Sequence, residues 1–467
     1  MRSEQVIKLG CLLAIGFAWS TVLDVARAVR PELGEPVPIA DEAAGFPGGL
    51  ALKPPSKSGL LIDLPVYSEP ALDTRGLRLF AHYYTTHVYQ HPSQGASTLG
   101  LVRRGTLLKA RKAISGSGCP NGRWYALADQ GYACMSRGFS ARAPAASDLS
   151  PLRPDVERSL PFRYGKINSR AALRFRHLPS EAELAAVEAA IAKGKRLPRV
   201  VVDELDGDYF VAIDREVSAG DRRYFRTVKG RYVRVEEVDM RPEPAMHGQL
   251  LRGEVQLPLA FVFGAKAVPL LKQHHGEMVV QGKAYKHARF PAVGTTSWGD
   301  KQVVLSPSGF AVERAHVRIA RQRERPKGVA EGAKWIHVDV DQQTLVAYEG
   351  DRPVFATLVS TGKDGHDTPT GLYRIHEKHK TRTMRGSDPS GPFEVAEVPW
   401  TMFYRGSYAL HGAYWHDDFG KVRSHGCTNL APIDARWLFR FTEGDLPDGW
   451  HALRKLQSTQ VYFTREG

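Results

Sequence analysis

From residue 333 onward, apolar and polar positions alternate with a period of two. Ile336, Val338 and Val340 are separated by His337 and Asp339, the pattern of a half-buried strand. Leu345–Tyr348 and Val354–Val359 continue the sheet. Thr368-Pro369-Thr370-Gly371 makes a turn, and Leu372–Ile375 resumes an extended run. Strand-like runs also precede this region, at Arg199–Val202, Tyr209–Ile213, Arg231–Val235, Lys301–Leu305 and Phe310–Val312. Helical periodicity is confined to two places. Ser180 and Glu183 form a capping box ahead of Leu184, Val187 and Ile191, which share one helical face, and Lys193-Gly194 closes that helix. A second helix opens at Pro432 with Asp434 in its first turn, and Ile433, Trp437, Leu438 and Phe441 form its apolar face. These patterns predict a mainly β protein.

Length and composition agree. At 467 residues the chain is too long for one core, so two to four domains are expected. With 42% hydrophobic and 24% charged residues it is a folding rather than a disordered sequence. The 44 glycines and 30 prolines favour strands and turns. Residues 1–28 read as a secretory signal: Arg2 and Lys8 lead an apolar stretch from Leu9 to Leu23, and Ala26-Arg27-Ala28 places small residues at a cleavage site after Ala28. Retention as an N-terminal anchor is the alternative, and Cys11 sits in a poor lipobox. The expected location is the periplasm or cell envelope. Residues 29–60, rich in Pro, Gly and Ala, read as a linker.

Residues 61–145 hold short strands and turns at His87-Val88-Tyr89, Leu107–Ala110, Arg123–Leu127 and Gly131–Cys134, and this pattern resembles a bacterial SH3-like barrel. A middle α+β region, residues 146–325, repeats Gly-aromatic endings at Gly230-Arg-Tyr-Val and Gly309-Phe-Ala-Val, which suggests further small barrels of that kind. The charged, Gly-containing stretch 321–333 marks a boundary before a C-terminal domain at 333–457.

The net charge is +14. The first 28 residues carry Arg2, Lys8 and Arg27 against Glu4 and Asp24, so their removal lowers it to +13. Such a surface suits anionic wall polymers and stem-peptide carboxylates. No nucleic-acid motif is visible, and export argues against that partner. Three of the four cysteines follow the signal. Cys119 and Cys134 are expected to form a disulfide worth about 3 kcal/mol, which leaves Cys427 as an unpaired thiol requiring an explanation.

That thiol lies in Ser424-His425-Gly426-Cys427-Thr428-Asn429, downstream of Leu410-His411-Gly412-Ala413-Tyr414-Trp415-His416. A cysteine becomes a nucleophile when a nearby imidazole makes it a thiolate. His425, two residues away, and His411, sixteen away, both qualify, and spacing does not choose between them. Gly426 removes a Cβ where a substrate carbonyl must approach, and the N–H groups of Gly426 and Cys427 are candidate oxyanion donors. Asn429 is expected to brace this loop and Ser424 to orient one imidazole.

His-Gly, a spacer and Ser-His-Gly-Cys-x-Asn together resemble the active-site signature of the L,D-transpeptidase (YkuD-type) family. Val359-Ser360-Thr361-Gly362-Lys363 with Thr368-Pro369-Thr370-Gly371, and Leu430-Ala431-Pro432-Ile433-Asp434-Ala435, are similar to its flanking segments. The resemblance covers roughly residues 333 to 455. It implies a β-sandwich-like catalytic domain with Cys427 as nucleophile, His411 as general base, the Gly412 carbonyl orienting that ring, and His425 and Gly426 shaping the oxyanion region. It further implies acyl transfer on peptidoglycan stem peptides, with release of D-alanine and 3→3 crosslinking, by a monomer without metal or organic cofactor and acylated by carbapenems. Water or a free amino acid as acceptor would give a carboxypeptidase or an exchange enzyme.

His416, Tyr414, Trp415, Arg382, Met384 and Arg385 are candidate substrate contacts, the last three on an expected loop over the cleft. The His274-His275 pair is read as solvent-facing rather than metal-binding. Two other classes compete. One is a papain-like hydrolase, for which no cysteine at a helix start is seen. The other is a non-catalytic peptidoglycan-binding envelope protein.

Overall fold

The computed structural model describes residues 77–465, apart from 121, 146–152, 170, 206–207 and 389–390. The expected signal and linker therefore lie outside the described residues. Half of the described residues are strand and 7% helix, as the period-two patterning predicts.

The C-terminal region is built as two facing sheets. In the first, six strands run in the order Gln249–Leu250, Arg352–Leu358, Thr344–Glu349, Lys334–Asp339, Gln460–Thr464 and Gly371–Arg374, and Lys334–Asp339 is parallel to the last strand of the described residues, Gln460–Thr464. In the second, a long hairpin of Glu377–Asp388 and Gly391–Arg405 continues into Tyr408–Gly412, which pairs in parallel with Thr428–Leu430. Ile336, Val338, Leu345, Val461 and Phe463 of the first sheet share one core with Trp400, Met402, Leu410 and Leu430 of the second. The helix Pro432–Phe441 adds Leu438 and Phe439 to that core. The other face of the first sheet is covered too, Trp335, Val346 and Tyr348 sharing a core with Phe261 and Phe419, so the strand read from its alternation as half-buried is buried on both faces, His337 and Asp339 included.

The preceding segments are joined to this sandwich. Between Arg78 and Ser140 seven short strands enclose Leu79, Val88, Leu108 and Phe139, and Cys119 is bonded to Cys134 with their Cα atoms 5.7 Å apart. Thr98–Arg103 pairs antiparallel with Trp450–Arg454, so the second sheet runs on into this segment. Gly100 makes that possible, since a Cβ there would lie 2.0 Å from the Trp450 ring.

Strands between Arg163 and Arg241 form the next module, whose helix Glu181–Ala192 carries the capping box. Its buried face is shorter than the periodicity suggests. Leu184 and Val187 pack on Phe175 and Tyr224, whereas Ile191 in the last turn is 57% exposed, because the helix docks through its first two turns only. Tyr209–Ala219 of this module runs parallel to the hairpin strand, with Tyr209 opposite Glu394 and Phe210 opposite Val395. A three-stranded and a five-stranded sheet, from Leu259 to Ala320, complete the described chain. Arg318 Nε donates to Gly420 O at 2.9 Å and Lys286 Nζ to Asp417 O, so this part holds the loop that follows His411. Among the described residues no helix is long and apolar enough to cross a membrane.

Candidate active site

The two segments singled out from sequence meet through a parallel ladder: Leu410 lies opposite Thr428, His411 opposite Asn429 and Gly412 opposite Leu430. Residues facing each other across paired strands point to the same side of the sheet. Leu410 and Leu430 enter the sandwich core, so His411 and Asn429 occupy the opposite face. Cys427 stands immediately before this ladder, two residues ahead of Asn429.

Cys427 is half-buried and is the free cysteine of the described residues. Its Sγ donates to Ser407 O at 3.6 Å. Burial pushes the thiol up to about 11, against a smaller opposing effect from the Ala409 backbone. His411 is buried, and its Nδ1 lies 3.4 Å from Gly412 O. Burial lowers this imidazole to about 4, which the Gly412 carbonyl only partly counters. Among the described residues the two reactive groups are not bonded to each other. At neutral pH the site rests as thiol plus imidazole, with the Nδ1 proton held by Gly412 O and Nε2 left bare.

The loop before the cysteine is stapled from within. Ser424 Oγ accepts from Gly426 N at 3.0 Å and donates to Cys427 O at 2.5 Å. This corrects two expectations: Ser424 closes the turn rather than orienting an imidazole, and the Gly426 N–H is engaged by Ser424 instead of pointing at an oxyanion. Gly426 is required for another reason. It has φ +108°, and a Cβ there would meet the Tyr408 ring at 2.6 Å. Its carbonyl accepts from Thr368 Oγ1 at 2.7 Å, and Thr368 in turn accepts from Gly362 N at 2.9 Å. Ser360 exchanges backbone hydrogen bonds with Asn429. The upstream Ser-Thr-Gly-Lys and Thr-Pro-Thr-Gly segments thus hold the loop that leads into Cys427.

Asn429 braces a different partner from the one expected. Its side-chain amide lies 3.0 Å from His416 Nε2, while His416 Nδ1 accepts from Asp418 N at 3.2 Å. An acceptor at Nδ1 places the ring proton on Nε2, so the amide turns its oxygen to His416. Burial first, then Arg423, lowers His416 to about 4. Both ring nitrogens being occupied, His416 braces Asn429 and has no ring nitrogen left for another hydrogen bond. Tyr414 is likewise corrected: it is buried, stacks on Tyr164 at 3.9 Å and donates to Ala396 O. Trp415, half-buried, lies 5.7 Å from the His411 ring and walls the site.

His425 is exposed and projects onto Phe393, stacked at 5.1 Å, with His366 edge-on at 4.8 Å. Arg382, Met384 and Arg385 are on the hairpin strand Glu377–Asp388 and not on a loop, because a 15-residue partner strand ladders against them. Arg382 is exposed, Met384 packs beside Tyr164 and Tyr414, and Arg385 Nε donates to Glu394 at 2.7 Å. The His274 and His275 rings are solvent-exposed and edge-to-face. Sequence reasoning missed Phe393, Tyr408 and Gln343. Gln343 is a buried side chain that accepts from Thr361 N and so fixes the segment opposite the cysteine. No local motif announces it.

Residues 333–461 match the family model described as the L,D-transpeptidase catalytic domain, which places such a domain at the C-terminal end of the chain. Among solved structures, the chain is similar to the catalytic domain of an L,D-transpeptidase from E. faecium, with 24% identity over 28% of this chain and 98% of that one and a TM-score of 0.24. It is also similar to an L,D-transpeptidase from Stackebrandtia nassauensis, with 26% identity, 30% and 60% coverage and a TM-score of 0.22. An L,D-transpeptidase from Mycobacterium smegmatis shares 15% identity over 48% of this chain and 93% of that one, with a TM-score of 0.23. No curated protein matches the chain.

Proposed function

We propose that the chain is an exported L,D-transpeptidase that acts on peptidoglycan stem peptides through Cys427. The observation that carries this reading is a half-buried free thiol immediately before the strand Thr428–Leu430, which pairs with the strand bearing a buried imidazole whose Nδ1 lies 3.4 Å from the Gly412 carbonyl.

The chemistry follows from those groups. As substrate excludes water, His411 Nε2 takes the Sγ proton while sulfur attacks the carbonyl carbon of the residue before a terminal D-alanine. The resulting oxyanion is met by the Cys427 N–H, since the Gly426 N–H is already spent on Ser424. The C–N bond breaks, the imidazolium returns its proton to the departing amine, and a thioester remains. An amine of a second stem then attacks that thioester, its proton passes to His411, and the thiol is regenerated with a new amide formed. Asn429, oriented by His416, and Trp415 border the space where the peptide lies. The starting thiol is nearly all protonated, so the rate depends on this concerted proton transfer rather than on a standing thiolate.

The signal-like residues 1–28, cleaved after Ala28, account for the periplasmic or envelope location, and the net charge of +13 that remains suits an anionic wall. The small strand modules at 61–145 and 146–325 are read as SH3-like and wall-facing. Incubation with a carbapenem tests the reading: intact-mass measurement should show one adduct on the wild-type chain and none on Cys427→Ala. A folded wild-type protein that takes up no adduct would leave a non-catalytic wall-binding protein instead.

A further inference from the structure

A cavity of about 210 Å3 lies on the far side of the hairpin from Phe393, where the 163–241 module meets it. Arg174, Lys229 and Arg231 of the module and Arg385 of the hairpin line it, against the single carboxylate of Glu394. Val211 and Ala396 contribute apolar wall. At this size it falls below the roughly 300–1,000 Å3 of sites that enclose a whole small ligand, and it admits one arm of a larger molecule.

The charges do not balance. Arg385 Nε donates to Glu394 at 2.7 Å, Arg174 approaches the same carboxylate at 3.5 Å, and Lys229 Nζ stands off at 3.9 Å. Arg174 is also paired with Asp203 behind it. Arg231 reaches only the Arg176 carbonyl, at 3.4 Å. Lys229 thus shares Glu394 with two arginines and is the most distant of the three. Its side chain is 29% exposed, and among the described residues its ammonium makes no hydrogen bond. An ammonium partly withdrawn from water, whose carboxylate partner is shared with Arg385 and Arg174, gains from a further anion. Burial correspondingly lowers its pKa, while Glu394 is held below the usual carboxylate range: its burial is outweighed by Arg385, Lys229 and Arg174. A network serving only to glue two elements would close around its charges. Here four cationic side chains and one carboxylate face an open void.

We propose that this cavity binds a carboxylate carried by a wall peptide, gripped by Lys229 and Arg231 from the module and by Arg385 from the hairpin. The inference rests on the transpeptidase reading for the identity of the ligand, not for the existence of the site. An anion held there bridges the module to the hairpin whose other face, through Phe393, stacks on His425. Engagement of a neighbouring stem would therefore fasten one wall of the catalytic cleft.

The test uses full-length Cys427→Ala protein, titrated calorimetrically with a synthetic wall tetrapeptide bearing free carboxylates, the same peptide amidated, and inorganic phosphate. The free peptide should bind about tenfold more tightly than its amidated form, and Lys229→Ala and Arg231→Ala should each remove about that factor. Lys229→Arg should restore it. Equal affinity for the two peptides, binding unaffected by either alanine, or phosphate binding in place of the peptide overturns the proposal. Comparison of the two peptides needs no cavity variant, so it stands even if one fails to fold. Carbapenem acylation of the unaltered chain is read separately: an acylated Cys427 with no charge-selective peptide binding sinks only the cavity proposal.

Discussion

At Cys427 the environment opposes the ionised form, and this has a measurable signature. Because burial raises the thiol to about 11, its alkylation rate by iodoacetamide should still be climbing between pH 9 and pH 11, where an ordinary cysteine has levelled off. A plateau below pH 9, followed by mass spectrometry of Cys427, would show a thiolate already stabilised in the free protein. Gly426 is the second residue with a sharp expectation. Gly426→Ala places a Cβ 2.6 Å from Tyr408 at a φ of +108°, so the Ser424 staple must open. Carbapenem acylation should slow about 100-fold, as expected when a nucleophile is displaced by about 1 Å. An unaltered rate would mean that the loop tolerates the shift. The residue types at this site were legible in sequence because each has its own chemistry. What Ser424 and Gly426 bond to was not, since a hydroxyl and an N–H reach several partners and only the turn decides which.

Among the elements, the hairpin Glu377–Asp388/Gly391–Arg405 is where neighbouring segments converge. Thr98–Arg103 sends Arg103 into it: Nη2 lies 2.6 Å from Glu397 Oε2, with both side chains almost fully buried. Thr381 and Thr383 also donate to Glu397, and its backbone sits at φ +49°, a conformation that these bonds hold in place. Arg103→Met should cost about 3–5 kcal/mol by stranding a buried carboxylate, and Arg103→Met with Glu397→Leu should recover much of that. Denaturant unfolding of the three variants checks this. Non-additivity near zero would show that the pair contributes no coupling. Neither partner stands out in sequence: Arg103 and Glu397 are 294 positions apart, and local periodicity carries no information at that range. The capping box at Ser180 and the proline-opened helix at 432, both local devices, were legible.

For the whole molecule, buried imidazoles set the response to acid. Burial depresses His337 to about 3 and both His411 and His416 to about 4. Unfolded, each would take a proton near pH 6.5, so their contribution to stability is complete above that value and is lost as pH falls towards 4. At pH 5 the loss is on the order of 2 kcal/mol per ring. Asp434, raised to about 7 by burial, works in the opposite sense, stabilising below its unfolded pKa and losing that contribution as pH rises through 7. It offsets about one ring. The thermal midpoint should therefore drop between pH 7.5 and pH 5, more steeply in Asp434→Asn; a rise would contradict the burial of the histidines. The mainly β architecture, the positions of both helices and the clustering of chemistry around Cys427 were determined by the sequence alone, because alternation, capping and side-chain reactivity are properties of neighbouring residues. Tertiary structure decided the rest: that Thr368 holds the Gly426 carbonyl, that His416 braces Asn429, that Tyr414 is core, and that a surplus of cations faces a void beside Glu394. Those outcomes depend on which segments meet across the sheets, and it is burial at such meetings that settles charge, hydrogen bonding and access.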